Sequence, residues 1–175
     1  MDNNFHLQFP FTKINREKRI VVGIATADNV DKADDIVDYD ASVTAFSNWV
    51  GNIREMHSPK AVGKALSYTP VEFEDQDGSK HKGIQVEAYV SKGAEDTWQK
   101  VLDGTLTGFS IGGTVGETKK EFHSKLNKMV RRITKYALGE LSLVDNPCNP
   151  AAQISVVKNC DGMLIYDLEE DDLDK

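Results

Sequence analysis

The chain has 175 residues, a formal net charge of -7 and 39% hydrophobic residues, with a mean hydropathy of -0.44. That length supports one ordinary domain rather than two, and the composition is that of a soluble globular protein. The acidity argues against a protein built mainly to grip a nucleic-acid backbone, which needs clustered Lys and Arg. No run approaches the roughly 20 apolar residues of a membrane-spanning helix. The opening Met1-Asp2-Asn3-Asn4 lacks the basic start and apolar stretch of a signal peptide, so a cytoplasmic protein is expected. Cys148 and Cys160, the two cysteines, make neither a disulfide framework nor a zinc-binding CxxC pair. No metal and no cofactor is expected.

In chain order, the residues before 19 read as a loose arm that carries His6. Residues 19–27 (RIVVGIATA) are β-branched and apolar, a strand. Residues 28–40 are polar, acidic and turn-like, without regular period. Residues 41–50 carry Val43, Phe46, Trp49 and Val50 at helical spacing, with Asp40 or Ser42 placed to cap. Met56-His57-Ser58-Pro59 is irregular, because Pro59 removes a donor and pushes Ser58 out of the helical region. Residues 61–73 and 83–90 form two strands around an Asp77-Gly78 turn. Residues 94–102 make an amphipathic helix stopped by Gly104. Extended runs follow at 106–115, 130–137 and 139–144, with a short final strand at 153–157. Lysine-rich 117–128 is either a short helix or an exposed hairpin loop. The acidic residues of 161–175 repel one another and bury nothing, so they read as a flexible tail behind a single domain over 1–160. The expected fold is mainly β with some α: a small antiparallel barrel of about six or seven strands, with two or more helices on its outside.

Three segments could carry chemistry. In Gly108-Phe109-Ser110-Ile111-Gly112 the strand period turns Ser110 away from Phe109 and Ile111, and the flanking glycines open the face around its hydroxyl. A glycine-rich strand packed on a helix would look the same. The pattern also matches the G-x-S-x-G of α/β-hydrolases, but no helix pattern follows the serine and the order of the partner residues is wrong. A serine needs a base. Among the four histidines, His81 and His123 read as solvated, whereas His57 sits at the mouth of a strand in a segment fixed on both sides, where it is either a base or a structural or surface histidine. In Gly139-Glu140-Leu141-Ser142-Leu143, the alternation puts Glu140 and Ser142 on one face. A carboxylate there is costly unless paired, so it could orient an imidazole or, on an edge strand, simply face water. Asp145 is a weaker candidate, because Asp-Asn-Pro marks a turn.

Taken together, three segments resemble the tailed-phage prohead (head maturation) serine proteases, a family related in fold to the herpesvirus assemblins. They are His57 followed by Val62-Gly63, the helix leading into Leu106-Thr107-Gly108-Phe109-Ser110-Ile111-Gly112, and Glu140-Leu141-Ser142-Leu143-Val144 ending in Asn146-Pro147. The resemblance spans roughly 19–157. It implies a serine endopeptidase with Ser110 as nucleophile, His57 as base and Glu140 as third member. It also implies an assemblin-like barrel, and scaffold segments, the major capsid protein and the protease itself as substrates. The setting would be an assembling procapsid in the host cytoplasm, with no nucleic-acid or membrane partner; self-association is left open. Two departures stand out. Ser58 follows the histidine where an aspartate is common in the family, and Arg131-Arg132 precedes Glu140, so it reads as an ordinary strand pair. The competing reading is a catalytically silent procapsid component.

Overall fold

The computed structural model describes residues 4–75, 77–145, 154–159 and 164–167. In chain order the elements are β1 (Asn4–Asn15), β2 (Ile20–Ala27), β3 (Asp35–Val37), α1 (Tyr39–Ser47), β4 (Asn52–Glu55), β5 (Ala61–Asp75), β6 (Lys80–Val90), α2 (Glu95–Leu102), β7 (Gly108–His123), β8 (Lys128–Val144), β9 (Ile154–Asn159) and β10 (Leu164–Asp167). Seven strands run in the order β5-β4-β8-β7-β1-β2-β6, and β6 pairs back onto β5 to close a barrel. Closure removes the unpaired edges that an open sheet would leave. β9 and β10 extend the sheet from β5.

The barrel interior is filled by one face of each long strand. Phe9, Ile24, Phe73, Ile84, Val86, Phe109, Ile111, Leu141 and Leu143 are all buried. Each such side chain contributes about 1.5–3 kcal/mol by leaving water. The alternation places Phe109 and Ile111 in this core and turns Ser110 to the other face of β7.

Several expectations change. The arm before residue 19 is a strand: β1 lies between β2 and β7 and completes the barrel. Phe9 and Phe11, two residues apart, send their rings into the core. The acidic stretch 28–40 contains β3, with Ile36 and Val37 buried. Asp35 tolerates burial there because Arg131 grips both of its oxygens at 2.7 Å. Pairing is not wholly antiparallel either. β3 and β4 both run parallel to β8, at Arg131–Ile133 and Leu141–Leu143, and α1 links the end of β3 to the start of β4. Tyr136 on β8 donates its hydroxyl to Ser42 of α1 at 2.9 Å.

The lysine-rich 117–128 is the far half of a long β7–β8 ribbon, not a helix. α2 ends as expected, with Gly104 at a φ of 79°. Among the described residues the α-helices are two and short, of nine and eight residues. β10 lies within the stretch expected to be an acidic tail, while 168–175, Cys148, Cys160 and the Asn146-Pro147 motif fall outside the described residues.

Candidate active site

β7 and β8 are paired so that Ser110 stands opposite Ser142 and Gly112 opposite Glu140. These four residues share the sheet face turned away from Phe109, Ile111, Leu141 and Leu143. The hairpin between β4 and β5 brings in the fifth. β4 pairs with β8 as far as Glu55 and Leu143, and the Met56 N–H donates to the Leu143 carbonyl at 3.0 Å. The chain then turns: the Ser58 N–H returns to the Glu55 carbonyl at 2.9 Å. Both central residues, Met56 and His57, have positive φ, of 52° and 55°. Side chains other than glycine rarely hold that conformation without outside support, and such strain gathers at functional sites.

The turn delivers the imidazole onto the β7–β8 face. His57 Nε2 lies 2.9 Å from Ser110 Oγ, and Nδ1 lies 2.5 Å from Glu140 Oε1. Ser110, His57 and Glu140, singled out from separate parts of the chain, are thus brought into one continuous line of contacts. The arrangement can pass the serine proton to Nε2 while the carboxylate fixes the ring and faces the developing imidazolium. The His57 and Glu140 side chains are 18% and 17% exposed, whereas Ser110 is fully covered, at 0%.

Gly112 has a different task from opening the face around the Ser110 hydroxyl. A Cβ at Gly112 would lie 2.1 Å from Glu140 Oε1, so the missing side chain makes room for the carboxylate. Ser142 is the residue whose role the sequence did not suggest. Its hydroxyl donates to Glu140 Oε2 at 2.6 Å and accepts the His57 N–H at 3.0 Å. The signal was the Glu-x-Ser spacing, which puts both side chains on one strand face.

The strand leading into the turn is anchored from outside. Glu55 accepts from Thr97 Oγ1 at 3.0 Å and from Lys100 Nζ at 3.2 Å, both on α2. Burial pushes the Glu55 carboxyl up, but the Thr97 and Lys100 hydrogen bonds and the Lys60 charge outweigh it and hold the group below its ordinary value. Asn52 donates to the Gly139 carbonyl at 3.0 Å, next to Glu140.

The remaining candidates lie elsewhere. Asp145 is exposed at the end of β8, where its backbone carbonyl accepts from Thr107 Oγ1 at 3.3 Å. Arg131 is bound to Asp35, and Arg132 to Asp38 at 3.1 Å and to Glu121. Both belong to the far part of the ribbon, roughly 25–30 Å along β8 from Glu140 at strand rise. An open cleft lined by Asp34, Asp35, Lys120, Met129 and Arg131 is also there. His81, expected to be solvated, is half-buried against Asp75 at 2.8 Å. Among the described residues, no group of three or more His, Cys, Asp or Glu is arranged to hold a metal, and no helix is long and apolar enough to cross a membrane.

No curated protein and no solved structure matches the chain. A family model does match, over residues 8–119. It covers more than half of the sequence and includes both His57 and Ser110, ending before β8 supplies Glu140. The chain belongs to the family that this model defines, described as Putative phage serine protease XkdF.

Proposed function

We propose that the protein is a serine endopeptidase that cleaves scaffold segments, extensions of the capsid protein and itself while a phage procapsid matures in the host cytoplasm. The observation that carries this reading is the unbroken line from Ser110 Oγ through the His57 ring to Glu140, with contacts of 2.9 and 2.5 Å. A structural serine has no need of an imidazole backed by a carboxylate.

In the proposed reaction, Ser110 Oγ bonds to the peptide carbonyl carbon as its proton moves to His57 Nε2. Glu140 holds the Nδ1–H and stabilises the imidazolium. The C–N bond then breaks, and the leaving amine takes the proton from Nε2. Water attacks the acyl-enzyme by the same route in reverse, freeing the serine. Backbone N–H groups are the expected stabilisers of the oxyanion.

Complete coverage of Ser110 means that a peptide reaches Oγ only after part of the cover moves. The same coverage is the one observation that favours a catalytically silent procapsid component. Co-expression with the capsid protein, beside a Ser110→Ala version, separates the two. The peptidase shortens itself or the capsid protein, and Ser110→Ala leaves both at full length. If both versions leave every chain intact, the silent component is the better reading.

A further inference from the structure

Ser142 ties together the two partners of the candidate nucleophile. Three contacts close a ring: the His57 N–H to Ser142 Oγ at 3.0 Å, the Ser142 hydroxyl to Glu140 Oε2 at 2.6 Å, and Glu140 Oε1 to His57 Nδ1 at 2.5 Å. The polarity of the first two is set by chemistry. A backbone N–H can only donate, so Ser142 Oγ accepts there, and its single proton is directed to the carboxylate. Ser142 is fully buried, which shields these bonds from exchange with bulk water.

Two consequences follow from that ring. With Oε2 held by the hydroxyl, the carboxylate cannot rotate freely and presents Oε1 to the imidazole. On the backbone side, the positive φ of Met56 and His57 persists only where several contacts over-determine it. The Ser142 bond to the His57 N–H is one of them; the Met56 bond to Leu143 and the Ser58 bond to Glu55 are others.

We propose that Ser142 is a positioning residue: its hydroxyl orients the Glu140 carboxylate and fixes the His57 backbone, so that Nε2 points at Ser110. The proposal rests on the peptidase reading, so its test has one part that needs activity and one that does not.

The first part follows the rate at which a fluorophosphonate labels Ser110. Ser142→Ala lowers that rate about 10- to 100-fold, the scale of a misoriented catalytic group, with a melting temperature close to that of the parent protein. Ser142→Thr keeps the hydroxyl and most of the rate. In a Glu140→Ala background the Ser142→Ala change adds a smaller loss, because only its contact with the His57 backbone N–H is left to remove. Ser142→Cys, with a weak donor in nearly the same space, carries the same comparison if the alanine variant fails to fold. An unchanged rate in Ser142→Ala, or a loss of equal size with and without Glu140, overturns the proposal.

The second part uses proton NMR of the Ser110→Ala protein and follows the far-downfield Nδ1–H signal of the short His57–Glu140 hydrogen bond. Adding Ser142→Ala moves that signal upfield or abolishes it, while Ser142→Thr retains it. A signal indifferent to Ser142 overturns the proposal even if the protein proves to be an active peptidase. If the parent protein neither labels nor cleaves, the peptidase reading fails by itself, and the NMR signal still decides whether Ser142 holds Glu140.

Discussion

His57 and His81 each place an imidazole against a carboxylate, and the two sites differ little in burial. The side chains are 18% and 15% exposed, and the carboxylates of Glu140 and Asp75 lie 2.5 and 2.8 Å away. They differ in what the second ring nitrogen meets. At His57 it is the Ser110 hydroxyl, at 2.9 Å. At His81 it is a second carboxylate, Asp28, at 3.9 Å, with the Phe73 ring packed alongside at 5.5 Å. An imidazole between two carboxylates has an anion on either side and no hydroxyl to deprotonate, so it serves as a structural tie. A histidine–carboxylate pair is therefore not a signature of catalysis; the third group decides what the pair can do.

The largest test of that contrast is to delete each imidazole. His57→Ala should lower peptide cleavage by roughly 10⁴-fold or more, as loss of a general base does in serine peptidases. His81→Ala should leave the cleavage rate near that of the parent. Equal losses in a cleavage assay would erase the distinction. Next come the changes at the far end of the imidazole. Glu140→Ala should cost about 10²- to 10⁴-fold in rate while leaving residual activity. Gly112→Ala should approach the same loss without replacing any of the three residues, because its Cβ would displace the Glu140 carboxylate. A fully active Gly112→Ala would show that the carboxylate position is not critical.

Smaller effects are expected at the structural pair. His81→Ala should reduce stability by about 1–3 kcal/mol in chemical denaturation, by stripping Asp75 of a buried partner. The smallest effect concerns acid. Burial pushes the Asp75 carboxyl up, but the His81 hydrogen bond, the N–H groups of Ser79 and Asp77 and the His81 charge together hold it below its ordinary value. Folded Asp75 is thus more acidic than unfolded Asp75, which titrates near pH ~3.9. Its contribution is complete above that pH and is lost as pH falls through the lower folded value. Asp75→Asn should flatten the acid branch of the stability curve below about pH 4. Asp28 has the opposite sign: burial raises its carboxyl, against the Lys82 N–H and the His81 charge, so its contribution weakens as pH rises from the ordinary carboxylate value through the higher folded one. A melting series that gives Asp75→Asn and Asp28→Asn the same pH trend would contradict this assignment.

Much of the site was legible because strand periodicity is local. Alternation alone separated Ser110 from Phe109 and Ile111, and grouped Glu140 with Ser142. Pro59 marks the His57 segment as irregular. What could not be read depends on partners distant in sequence. β1 is a strand because β2 and β7 flank it, and the Gln8–Ser110 pairing has no local trace beyond Phe9 and Phe11. β3 hides among acidic residues because the guanidinium that neutralises Asp35 comes from Arg131. His81 reads as solvated in part for the same reason: Asp75 lies in its own hairpin, but Asp28, at the end of the neighbouring strand, does not. Gly112 reads locally as an opening in the face, since nothing nearby in sequence announces the Glu140 carboxylate that fills it.

The central claim, that His57 activates Ser110, is tested most directly by fluorophosphonate labelling followed by peptide mapping of the parent, His57→Ala and His81→Ala proteins. The account predicts a phosphonyl adduct on Ser110 in the parent and in His81→Ala, and its loss in His57→Ala. An adduct on another serine, or one on Ser110 that forms equally fast without the His57 imidazole, would contradict it.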